Sequence, residues 1–244
     1  MAFSHSPKIV TDGLVLCLDA ANPKSYPGTG TTWKDLSGNG NNATLYNGTA
    51  YNVNGYFELD GVNDYISISS IDLSTTPSIT LQVLFQPQTY PSSGTVKLIA
   101  ELSNNFNSYN DTFVASYNDN SVGQSYECFV SVRGNSGYNL DAWSKDLLNN
   151  LEWNFWTPTM DMSITGGKEV SLYQNGILRN SLGISSYNND NTGNFGNRPL
   201  YIGCRGGSQL FADYYLSSIV LYNRALTASE IQQNYNALKG RFGL

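Results

Sequence analysis

Histidine is all but missing from this chain: His5 is the only one in 244 residues. The commonest general base and metal ligand is thereby excluded from most of the molecule, and with it Ser-His-Asp and Cys-His arrangements. Charge is scarce too. Asp, Glu, Lys and Arg make up 13% of the residues, where about a quarter is usual. The 13 Lys and Arg against 19 Asp and Glu leave a formal net charge of −6, with no basic cluster to neutralise a run of phosphates, so nucleic acid is not expected as a partner. Cysteine occurs three times, as Cys17, Cys128 and Cys204, far apart and without a C-x-x-C pair. An odd, scattered set inside apolar stretches reads as buried free thiols. No apolar run is long enough to span a membrane, and Met1 to Pro7 lacks the charged and apolar regions of a signal peptide. Assembly in a reducing cytoplasm, with no membrane insertion, is the expectation.

What is abundant is Tyr (17), Gly (23) and a large complement of Asn and Ser. Alternation of apolar and polar residues dominates, most clearly from Ile79 to Phe85, where Ile79, Leu81, Val83 and Phe85 face a core and the segment reads as a half-buried strand. Similar runs recur at Leu14 to Leu18, Tyr56 to Asp60, Tyr65 to Ser69, Lys97 to Leu102, Thr112 to Tyr117, Tyr126 to Val132, Val170 to Tyr173, Leu200 to Ile202 and Leu216 to Tyr222. Short strands separated by Gly, Asn and Ser loops predict an all-β sandwich, its core including Leu16, Leu172, Ile219 and Leu221, with Trp33, Trp153 and Trp156 in or near it. Asn175-Gly176 between two such runs predicts a type I′ hairpin turn. Thr227-Ala228-Ser229-Glu230 matches a capping box and opens the one convincing helix, which places Ile231, Tyr235 and Leu238 on one face and has Gly240 as its stop. No linker or composition shift divides residues 1–244, so they read as a single domain, with residues 1–8 as an N-terminal arm able to dock on another chain.

Three stretches carry a resemblance. The first is Asp12-Gly13-Leu14-Val15-Leu16 through Asp19-Ala20-Ala21-Asn22-Pro23, Trp33 to Asn41 and Leu59 to Ile66. The second is Leu172 to Leu178, and the third is Leu200-Tyr201-Ile202-Gly203 with Val220 to Thr227 and the helix that follows. In this order they resemble the laminin G-like, concanavalin A-like lectin/glucanase jelly-roll family, which implies a jelly-roll β-sandwich with one short C-terminal helix. The opening and closing segments are similar to versions found in virion proteins of tailed bacteriophages. That likeness implies a non-enzymatic virion protein, assembled in the host cytoplasm and displayed on the particle as a capsid decoration or as a tail or fibre part. Its partners would be other virion proteins, copies of itself and host-surface glycans. The alternative is a soluble carbohydrate-binding lectin module. Two departures weaken any transfer of ligand chemistry: Ser217-Ser218 stands where family members usually carry Asp-Glu, and Trp153-Asn154-Phe155-Trp156-Thr157-Pro158 replaces a His-rich segment.

The glucanase branch needs Glu-x-Asp-x-x-Glu so that an acid and a nucleophile flank the scissile bond, and no such pattern occurs here. Glu58 and Asp60 share a face, but Asn63 stands where a third carboxylate would be needed. An enzyme is therefore not expected. No cofactor is required, but the family often binds calcium at a sandwich edge. Its oxygen ligands would come from Asp35 and Asn39 in one loop and from Asp60, Asn63 and Asp64 in a second; the alternative is that these residues only make turns. Glycan contacts are expected from aromatics in the Asn-rich loops, namely Tyr109, Tyr138, Trp143 and Tyr187, which could instead pack on neighbouring subunits.

Overall fold

The computed structural model describes residues 8–89, 96–117, 128–135, 139–144, 151–164, 169–179, 192–241 and 244, with the side chains of 139, 140, 143 and 144 excepted. Two eight-stranded antiparallel sheets are stacked face to face. The first sheet holds β1 (Leu14–Asp19), β4 (Ala50–Asn52), β5 (Tyr56–Glu58), β7 (Ser78–Pro87), β12 (Asn154–Asp161), β13 (Val170–Gln174), β14 (Ile177–Leu178) and β16 (Tyr214–Tyr222). The second holds β2 (Thr32–Trp33), β3 (Ala43–Tyr46), β6 (Tyr65–Asp72), β8 (Lys97–Glu101), β9 (Thr112–Tyr117), β10 (Cys128–Arg133), β11 (Asn139–Ser144) and β15 (Asn197–Ile202).

Alternation sets what lies between the sheets. Leu16, Ile79, Leu81, Val83, Phe85, Leu172, Ile219 and Leu221 are all fully buried in one cluster, so the expected core residues meet across the sandwich. Trp33 and Trp156 are buried, and Trp153 is half-buried beside Phe155. Strand β16 is the spine of the first sheet. It pairs with β7 along its whole length, from Tyr214 against Pro87 to Tyr222 against Thr80. Its other edge takes β5 at Tyr215 and Leu216, and β1 from Ser218 to Tyr222.

Strand β7 is not half-buried. Thr80, Gln82 and Leu84, which alternation would turn to solvent, are buried as well, because helix α1 (Ala228–Leu238) covers the outer face of the first sheet. The helix opens as expected: Thr227 Oγ1 accepts from the Glu230 N–H and the Glu230 carboxylate accepts from the Thr227 N–H. Gly240 does not end it by a left-handed turn; Lys239 keeps helical φ and the chain tightens into a 3₁₀ turn over Lys239–Arg241. The Asn175-Gly176 turn has φ of 51° and 79°, the two positive values that a type I′ turn requires. Strand β12 was invisible to alternation because it is buried on both faces and carries Pro158. Proline has no N–H to give a ladder, and the pairing of β12 with β7 skips Thr157 and Pro158.

Candidate functional site

Among the described residues, no α-helix lies over the outer face of the second sheet. On this face the outward members of three neighbouring strands line up: Leu98 on β8 opposes Ser116 on β9, which opposes Phe129 on β10. One step along, Val114 opposes Ser131, which opposes Asp141 on β11. Their inward neighbours Ile99, Ala115 and Val130 belong to the core, so the alternation that builds the core also aims this second set outward. Two segments rise beside them. A 3₁₀ turn, Phe106–Ser108, supplies Phe106 and Asn107, and the loop after β15 supplies Arg205 and Leu210. Together they enclose a cleft of about 170 Å³ with an apolar floor and four polar residues, Asn107, Ser116, Ser131 and Arg205. That is below the volume of sites for drug-sized ligands, and suits one ring-sized group.

One carboxylate holds both walls. Glu101 is completely buried and accepts from the Phe106 N–H at 2.6 Å, the Ser103 hydroxyl at 3.1 Å and Arg205 Nε at 2.8 Å. Burial pushes its carboxyl above the usual range, against the pull of Arg205 and the two other donors. On the other side Arg133 Nη1 donates to the carbonyls of Phe106 and Asn107 at 3.1 and 2.7 Å, and its guanidinium lies 5.6 Å from the centre of the Phe106 ring. Ser131 donates to Asp141. Leu210 takes a φ of 53°, a left-handed conformation that costs a non-glycine residue about 1–2 kcal/mol. Most telling is Ser116: its residue is 1% exposed and its hydroxyl has no hydrogen-bond partner. A buried hydroxyl left unpaired costs about 1–3 kcal/mol.

The residues singled out from sequence lie elsewhere or in part outside the described residues. Tyr109 is half-buried, and the Arg198 guanidinium covers its ring at 4.1 Å while also pairing with Asp111 at 2.8 Å. One face of that ring is therefore taken. Trp143 stands on β11 in register with Phe129; its side chain, like all of Tyr138 and Tyr187, lies outside the described residues. The Asp35 carboxylate accepts from the N–H groups of Cys17, Ser37 and Asn41 and from the Ser37 hydroxyl, while the Asn39 amide donates to the carbonyls of Leu14 and Val15. Asp60 Oδ1 accepts from the N–H groups of Val62, Asn63 and Asp64. Burial, with the Asp60 charge, pushes the Asp64 carboxyl up to about 6. Both loops thus use carboxylate oxygens on their own backbone, as turn-forming Asp and Asn residues do. Among the described residues no three His, Cys, Asp or Glu side chains are grouped to hold a metal.

The cysteines and Glu58 stand apart from the cleft or are closed to chemistry. All three cysteines are buried and unpaired, and burial pushes the Cys17 and Cys204 thiols up to about 12, which keeps them protonated at neutral pH. Glu58 is bonded to Asn52 on the first sheet, remote from the cleft. The residues that sequence reasoning missed, Ser116, Phe129, Glu101 and Arg205, all lie in or beside expected strands. The outward members of those runs were the available signal.

A family profile described as the concanavalin A-like lectin/glucanases superfamily matches residues 60–232. A search of curated protein sequences returns no match. Among solved structures, the chain is similar to the binding domain of Paraclostridial Mosquitocidal Protein 1, at 19% identity and a TM-score of 0.67 over 93% of this chain and 52% of that one. It is also similar to the binding domain of botulinum neurotoxin DC in complex with SialylT (15%, TM-score 0.65, 93% and 52%). A third similar structure, from work on ganglioside-dependent cell entry of botulinum neurotoxin type C, is 14% identical with a TM-score of 0.64 over 94% and 52%. The chain spans about half the length of these structures, and at such identities the likeness is one of fold. With its two-sheet architecture and a profile match over most of its length, the chain belongs to the concanavalin A-like lectin/glucanase superfamily.

Proposed function

We propose that the cleft on the outer face of the second sheet binds a carbohydrate ring, and that the chain is a lectin-like recognition domain. The observation that carries this reading is the buried, unpartnered Ser116 hydroxyl on the floor of an open cleft. A bound hydroxyl would give it the partner that the protein withholds, while the apolar faces of Phe106 and Phe129 suit the C–H side of a sugar. Hydrolysis is not proposed. Glu101 is sealed under Arg205 and spent on three donors, Asp141 is bonded to Ser131, and glycosidase chemistry needs two carboxyl groups free to flank the bond. The neurotoxin binding domains, whose titles name SialylT and gangliosides, add support by analogy of fold.

The test is a titration of immobilised mono- and disaccharides with the wild type, Ser116→Ala and Phe129→Ala. Each variant should bind at least about tenfold more weakly, a loss of about 1.4 kcal/mol, and Ser116→Ala should do so without lowering the unfolding midpoint. Equal binding by all three proteins would remove the cleft from consideration.

Display on a phage particle places the same binding face in a different setting and is a narrower proposal. It draws on the phrasing of the opening and closing segments and on the arm from Met1 to Pro7, which lies outside the described residues. Deleting Met1 to Pro7 should leave the sandwich folded and lower its occupancy on particles; normal incorporation of the truncated chain would end that reading.

A further inference from the structure

We infer that the ring taken by this cleft is uncharged: a neutral glycoside, and not a uronate or a sialylated or sulfated sugar. The inference rests on the carbohydrate reading above and narrows it to a substrate class. Two guanidinium groups border the cleft, which at first sight invites an acid. Both are already engaged within the protein. Arg205 is bound through Nε to Glu101 at 2.8 Å, and Glu101 is fully buried, so the pair is neutral as a unit. Arg133 is held by two backbone carbonyls and the Phe106 ring, and the carboxylate of Asp141 stands on the same strand face, two positions along β11 from the residue opposite Arg133.

An incoming carboxylate would lose its water and meet, in the cleft lining, a cation already paired with a buried carboxylate and a floor that is apolar, which is an expensive way to bury an ion. It would also approach a chain of net charge −6. Neutral hydroxyls meet the opposite situation, because Ser116 is unpartnered and Asn107 and Ser131 are uncharged groups on the same lining.

Matched pairs that differ only at C6 test this. The full chain is titrated calorimetrically with methyl glucoside and methyl galactoside, each beside its uronate, and with methyl mannoside and N-acetylglucosamine, at low and at high ionic strength. At least one neutral sugar should bind, its affinity should not move with salt, and a 6-carboxylate partner should bind at least about tenfold more weakly. Uronates that bind as tightly as their neutral partners, with an affinity that falls as salt rises, overturn the neutral-ring inference and leave the carbohydrate reading standing. If no sugar of either kind binds, the carbohydrate reading fails and the inference falls with it.

Discussion

The two outer faces of the sandwich start alike and end differently. On the first sheet, outward-facing Gln82 and Tyr222 are roofed by helix α1 and the chain around Val10, and each finds a partner beneath that roof. Asn234 donates to Gln82 Oε1 at 2.7 Å and to the Tyr222 hydroxyl at 2.9 Å and accepts from the Val10 N–H at 2.7 Å. Tyr222 in turn donates to the Val10 carbonyl at 3.0 Å. On the second sheet the described residues that wall the corresponding outward positions belong to a short turn and a loop, and the Ser116 hydroxyl has no partner. The closed face meets the needs of its polar groups from within, with the buried Ser218 hydroxyl of β16 as an unpartnered exception among the described residues. An open face can leave one for a ligand.

The largest effect that would break this contrast comes from the closed face. Asn234→Ala removes the hub and strands Gln82 Oε1 and the Val10 N–H, which should cost about 2–4 kcal/mol of unfolding free energy in urea; a loss of only a few tenths would mean the network is not what seals the helix down. A smaller effect belongs to the helix start. The bidentate Arg224 contact, at 2.6 and 3.0 Å, and the cap bonds from Thr227 hold the Glu230 carboxyl down to about 2. A depressed carboxylate stabilises above its unfolded pKa, so this contribution is intact at neutral pH and is lost as pH falls from about 4.5 towards 2. Because the pair is partly solvated, less than about 1 kcal/mol is expected. Glu230→Gln should remove that share of the acid dependence of the unfolding midpoint, and an unchanged acid limb would show that other carboxylates account for it. Smallest of all is the loss expected from Ser116→Ala on the open face: none, or a gain in stability, since it deletes a buried hydroxyl that makes no bond. A loss comparable to that of Asn234→Ala would reveal a hidden partner and end the contrast between the faces.

How much of this could be read beforehand differs by element. Strand β9 was legible to its ends, Thr112 and Tyr117, because its limits coincide with turn residues. The hairpin at Asn175-Gly176 and the cap at Thr227 were legible because each is decided within four residues. Strand β12 was not, since a strand buried on both faces has no alternation and Pro158 speaks against pairing. Neither was the cleft: Ser116, Phe129 and Arg205 are 13 and 76 positions apart along the chain, and nothing local marks them as neighbours. The aromatics chosen instead stood in Asn-rich loops, where composition suggested exposure; Tyr109 was already occupied by Arg198.

Local chemistry alone therefore determined the sandwich class, the core residues, the turns and the helix start, because alternation, positive φ and end-capping act over a few residues. The tertiary structure decided which sheet face the helix would roof, that β1 would pair with β16 about 200 positions along the chain, and that Glu101 would bind both walls of a cleft. Those outcomes depend on contacts between segments distant in sequence, and the pairing of a polar group such as Ser116 is settled only once the whole surface around it is in place.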